Sequence, residues 1–130
     1  NNQQFTAINN CIKGEMHMRI AVPLTQDNIF SLHFGHCDKF AMYDIDENTK
    51  SILKKEEIPA PPHQPGLLPR WLSEKGATCI LAGGMGQRAK SLFEEQNVHV
   101  IIGIEGTDPD AIVNDYLAGK LKVGANVCDH

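Results

Sequence analysis

The sequence predicts an α/β domain in which a mixed sheet is covered by helices. Two observations carry this reading. The first half alternates like paired strands around a short turn, and the second half repeats an apolar run followed by an amphipathic stretch. Repeated strand–helix units argue for parallel crossovers, whereas a tight turn between alternating runs argues for an antiparallel hairpin. The expected order is strand, strand, strand, helix, strand, helix, strand, helix, which gives a sheet of about five strands.

RIAVPL, at 19–24, is a short apolar run suited to a strand. Pro23 marks its end or an edge position, because proline has no amide to donate. TQDNIFSLHFGHCD is rich in turn formers. KFAMYDID, at 39–46, then alternates: Phe40, Met42 and Asp44 point one way, and Ala41, Tyr43 and Ile45 the other. SILKKEEI, at 51–58, is its antiparallel partner across a turn at 46–49. The proline-rich 59–66 is a stiff loop. Leu68, Trp71 and Leu72 share one helix face, with Pro69 tolerated in the first turn and Gly76 at the end. TCILA, at 78–82, is a buried strand that breaks at GGMGQ. Ala89, Leu92 and Phe93 form the inner stripe of a second helix, and VHVIIGI, at 98–104, gives another strand. The third helix is capped by Thr107 or Asp108, begins with Pro109 and ends at Gly119. Its Ile112, Val113, Tyr116 and Leu117 face the core. LKVGANVCDH closes with a short strand and a tail.

With 130 residues the chain has room for one domain with a real core. A content of 42% hydrophobic and 22% charged residues is that of a soluble globular protein. The formal charge of −4 and the lack of a basic run argue against nucleic acid as a partner. No apolar stretch approaches the roughly 20 residues of a membrane helix. The polar stretch 1–17 reads as a flexible leader or added extension, 18–124 as the working domain, and 125–130 as a C-terminal tail. The cysteines, Cys11, Cys37, Cys79 and Cys128, are irregularly spaced and read as reduced thiols of a cytoplasmic protein. Cys79 lies in a core strand and Cys11 in the leader.

HFGHCDKF, at 33–40, places His33, His36 and Cys37 within five residues. Imidazole and thiolate are good ligands for zinc, iron or copper. The same residues also read as a loop histidine, a capping histidine and a buried cysteine. Phe34 can anchor the turn in the core. Cys128 and His130 share a face if the tail is extended, so a tail folded over the 33–37 turn brings further donors to one site. Such a tail works as a clamp that orders when its ligand arrives. In LAGGMGQRA, Gly83, Gly84 and Gly86 permit close backbone approach, and the helix start offers unpaired amides that favour an anion. Met85 can ligate through its thioether, but packing is its preferred role. Arg88 adds charge or solvates the face.

Enzyme signatures are missing. The glycines do not form GxGxxG, and neither GK[ST] nor GxSxG occurs. His36 beside Cys37 does not make a nucleophile without a base aimed at the sulfur and a group to orient that base. Asp27, Asp38 and Asp44 form no evident pair for metal-assisted hydrolysis. His63 reads as solvent-facing and His99 as structural. Binding therefore ranks above turnover.

RIAVP, the HFGHCDKF turn, ILAGGMGQRA and the closing NVCDH together resemble the dinitrogenase iron–molybdenum cofactor biosynthesis family, which includes NifX- and NafY-like domains and the C-terminal part of NifB. The resemblance runs from about Met18 to Cys128. It implies a three-layer α/β/α architecture with a ribonuclease H-like motif. It also implies non-catalytic binding or transfer of an iron–sulfur cluster or iron–molybdenum precursor, with a cofactor-assembly or recipient protein as partner. On this resemblance, His33, Gly35, His36, Cys37, Gly83, Gly84 and Gly86 face the cofactor; Met85 joins that surface by its place in the glycine turn, and the donor chemistry read above makes His33, His36, Cys37, Cys128 and His130 the candidate metal ligands. The alternative is a zinc- or iron-dependent protein-interaction domain without cluster transfer. The chain carries no CxxxCxxC radical motif, so it is not the catalytic portion of NifB.

Overall fold

A computed structural model of the chain describes residues 17–34, 37–62, 64 and 66–121. Among them the eight expected elements form in the expected order: β1 (His17–Leu24), β2 (Lys39–Asp46), β3 (Ser51–Pro59), α1 (Leu67–Glu74), β4 (Cys79–Leu81), α2 (Gln87–Glu95), β5 (His99–Ile101) and α3 (Pro109–Leu117). The strands make one mixed sheet in the order β3-β2-β1-β4-β5. The β1–β2 and β2–β3 pairs are antiparallel, and the β1–β4 and β4–β5 pairs are parallel.

The period of two along each strand sorts the core onto both faces of the sheet. Ile20, Val22, Leu24, Ala41, Tyr43, Ile45, Cys79 and Leu81 build one cluster, closed by Ile112 and Val113 of α3. Ala21, Phe40, Met42, Ile80 and Ala82 build the other, closed by Leu72 of α1 and Phe93 of α2. The side chains of β2 divide as the alternation predicts. A fully buried Leu, Ile or Phe contributes about 1.5–3 kcal/mol, so these two clusters, rather than the short helices, hold the elements in place.

Differences from the sequence reading have local causes. β1 takes in His17, assigned above to the leader, because its backbone pairs with Asp46. Pro23 is not on an edge strand: β1 is the middle strand of the sheet. Pairing with β4 stops at Ala21, so on that side Pro23 owes no amide to the ladder, and its position is a strand end. β5 covers only three residues of 98–104, and Gly103 turns the chain beyond it at a φ of 83°. The third helix starts as expected, with the Asp108 carboxylate accepting from the Asp110 amide at 3.0 Å and Pro109 following the cap. The closing strand and tail expected after Leu121 lie outside the described residues.

Candidate functional site

The chain leaves β1 at Leu24, turns with the Asn28 amide donating to Thr25 O at 3.0 Å, and comes straight back. Phe30 bridges Leu24 antiparallel, and the Ser31 amide donates to Pro23 O at 2.9 Å. The same segment then runs parallel to the exit of β4: His33 bridges Gly84, and the Phe34 amide donates to Gly84 O at 3.1 Å. Residues 30–34 therefore fill the crevice at the carboxyl ends of β1 and β4. There the sheet switches from antiparallel to parallel pairing, the place where open α/β sheets bind ligands. The histidine turn and the glycine turn, separate in sequence, form one rim.

Three features hold this rim. Phe34 is 4% exposed and anchors the turn between Phe40 and Phe93, with ring centroids at 5.9 and 5.3 Å. A Cβ at Gly83 would meet Leu32 O at 2.8 Å and Ile104 O at 3.2 Å, so only glycine fits between the two loops. The backbone that approaches Gly83 is the protein's own. At the other end of the turn, the Asp38 amide donates to Leu24 O at 2.8 Å, and an Asp38 carboxylate oxygen accepts from the Gln26 amide at 3.0 Å.

The donors sit in different surroundings. His33 is exposed, and its carbonyl accepts from the buried Ser31 hydroxyl at 3.1 Å. Cys37 is half-buried against the cluster under α1 and α2. Burial pushes its thiol up to about 12, with Asp38 adding to the shift. At neutral pH Cys37 is therefore a thiol, and a metal must displace its proton to gain the sulfur. Met85 is 1% exposed and packs in the same cluster, in line with packing as its preferred role. Gly86 caps α2 in extended backbone and offers no side-chain acceptor to the first-turn amides of α2. Exposed Arg88 follows it. Across the rim, exposed Glu105 and Asp108 make the α3 side acidic.

Gly35, His36, Cys128 and His130, the tail 125–130 and His63 lie outside the described residues. Among the described residues no group of three or more His, Cys, Asp or Glu is placed to hold a metal ion. The described rim thus supplies His33 and Cys37 as donors. Cys79 is buried, as expected, while His99 is exposed on β5. The sequence reading missed Ser31 and gave no role to Asp38. Ser31 left no signal, whereas an aspartate at a turn end is a common backbone acceptor. No helix of the described residues is long and apolar enough to cross a membrane.

The sequence model of the family described as "Dinitrogenase iron-molybdenum cofactor" matches residues 16–119. Over 107 residues the chain is 30% identical to the FeMo cofactor biosynthesis protein NifB of Chlorobaculum tepidum. That match takes in 79% of this chain and 25% of NifB, so the chain spans a quarter of its relative's length. The crystal structure of PH0822 superposes with a TM-score of 0.76 at 30% identity, covering 82% of this chain and 94% of that one. The apo orange protein of Desulfovibrio gigas shares the fold, with a TM-score of 0.65 at 23% identity over 84% of this chain and 94% of that one. Both turns of the rim, and every strand and helix around them, fall inside the matched residues, and the chain belongs to the dinitrogenase iron-molybdenum cofactor family.

Proposed function

We propose that this protein binds an iron–sulfur or iron–molybdenum cofactor precursor at the rim and passes it to an assembly or recipient protein, without catalysing a reaction. The observation that carries this reading is the bridge between His33 and Gly84, which joins the soft donors to the anion-favouring turn. In this reading His33, His36 and Cys37 hold metal at exposed corners of the cargo. Cys128 and His130 complete the set when the tail closes. Gly83 and Gly84 keep the two turns in contact, and the α2 amides after Gly86 face the negative charge of the cargo. Gly35, between His33 and His36 in sequence, belongs to the cofactor-facing set in this reading. Few ligands, one of which must first lose a proton, suit a carrier that releases its load. The division of the core between α3 on one face and α1 and α2 on the other supports a three-layer, ribonuclease H-like arrangement. A cytoplasmic location fits reduced thiols.

The test is anaerobic purification with metal and acid-labile sulfide analysis. Iron with stoichiometric sulfide supports carriage. Zinc without sulfide transfers support to a metal-dependent interaction domain. Cys37→Ser is expected to weaken iron retention about tenfold or more while moving the melting temperature little, since the hydroxyl nearly fills the volume of the thiol. Unchanged retention removes Cys37 from the site.

A further inference from the structure

β3 ends the sheet as a nine-residue strand whose described partner is β2 alone. Charges and bulges on a free edge limit the registers in which it can pair with another chain. β3 has both: the register shift at Asp44/Ile45 leaves Leu53 without an opposite residue, and Lys54, Lys55, Glu56 and Glu57 follow it. The order of those charges matters. The Ala60 amide donates to Asp38 O at 3.1 Å, which fixes the alternation of the ladder. Lys39–Pro59, Ala41–Glu57 and Tyr43–Lys55 are then the pairs that exchange no bonds. The N–H and C=O groups of Lys55 and Glu57 accordingly point to the free edge. So does the nitrogen of Pro59, which has no proton to leave unpaired. Lys55 and Glu57 are two residues apart, so their side chains share a face.

We propose that β3 pairs antiparallel with β3 of a second copy, with Lys55 opposite Glu57 of the second copy. In a two-fold antiparallel pair, opposite residues lie on the same face, so only registers that match residues of like parity are open. Registers centred on Lys55 or on Glu57 set like charges opposite each other. The register centred on Glu56 sets each Lys55 against a Glu57 and lets both pairs exchange their N–H···O bonds. It also lays Leu53, 61% exposed, against Pro59 of the second copy, which covers the most exposed of the large apolar side chains. The like charges it sets directly opposite each other are Glu56 and Glu56 of the second copy, where Arg19 already holds the carboxylate at 3.0 Å. A single strand edge buries little area, so the pairing is a reversible dimer.

Sedimentation equilibrium of the full chain between about 1 μM and about 1 mM tests this. The average mass should rise from 14.4 kDa toward twice that value. Lys55→Glu and Glu57→Lys should each weaken self-association about tenfold or more. Their equimolar mixture should recover it, because the reversed charges are complementary across the mixed pair. Lys55→Glu also loses the 2.9 Å ion pair with Asp110, so circular dichroism melts check that each variant is folded, and Leu53→Glu, at an exposed position outside that ion pair, should weaken self-association as well. A mass constant at 14.4 kDa, variants that associate like the parent, or a mixture that stays monomeric would overturn the proposal.

Discussion

Gly83 shows what one missing methyl group does for the rim. Its Cα lies so close to the 31–33 backbone that a Cβ would sit 2.8 Å from Leu32 O, and neither loop can yield without breaking a bond to its neighbour. Gly83→Ala is therefore expected to cost about 1–3 kcal/mol, read from urea unfolding. Its larger effect should fall on cargo, because parting the loops breaks the His33–Gly84 bridge. Unchanged stability with unchanged iron retention would show that the loops part freely. At this scale the sequence was informative about chemistry and uninformative about orientation. The glycines announced a close approach, but nothing in GGMG says whether the approaching group is cargo or chain. Met85 is the same kind of ambiguity, since a thioether at a turn reads alike whether it packs or ligates, and only burial separates the two.

Among the elements, α3 is tied to the hairpin by one carboxylate. Asp110 accepts from the Tyr43 hydroxyl at 2.6 Å and from Lys55 Nζ at 2.9 Å, which joins the first turn of α3 to β2 and β3. The Tyr43 hydroxyl, then Lys55, holds the Asp110 carboxyl below its ordinary value of 3.8. A carboxyl depressed on folding stabilises the fold above its unfolded pKa, and that stability is lost as pH falls through the folded one. Asp110→Asn should thus lower stability by about 0.5–1 kcal/mol at neutral pH, a small figure because the group is largely solvated. The gap between the melting temperatures of parent and variant should close below about pH 4. A gap that persists at low pH would assign the loss to packing. The elements themselves were legible in the sequence. KFAMYDID divides between the two faces as its alternation says, and Asp108-Pro109 begins a helix where cap chemistry puts one. β5 was overread, because VHVIIGI is apolar throughout and its pattern does not reveal that the chain turns at Gly103.

For the molecule as a whole, the tail clamp becomes a question of reach. The last turn of α3, with Tyr116 and Leu117, lies beside Met18, Ile45 and Lys50, and Leu121 packs onto the same cluster. That is the end of the sheet away from His33 and Gly84. β1 spans roughly 23 Å between the two ends, while the chain from Leu121 to Cys128 reaches at most about 24 Å when fully extended. A clamp must therefore be drawn nearly straight, and removing residues 125–130 should speed iron loss while leaving the melting temperature unchanged. Equal rates of loss would confine the site to the two turns. This geometry was illegible in the sequence, because the spacing of Cys128 and His130 tells which side they share if extended but not where the last turn of α3 leaves the sheet.

Both described ends of the chain, His17 and Leu121, share that remote pole. A tether attached beyond either of these residues would leave the rim of the two turns facing outward. On the proposed reading, the domain would bind the same cargo whether it stands alone or is joined to further chain, with no rearrangement of the two turns.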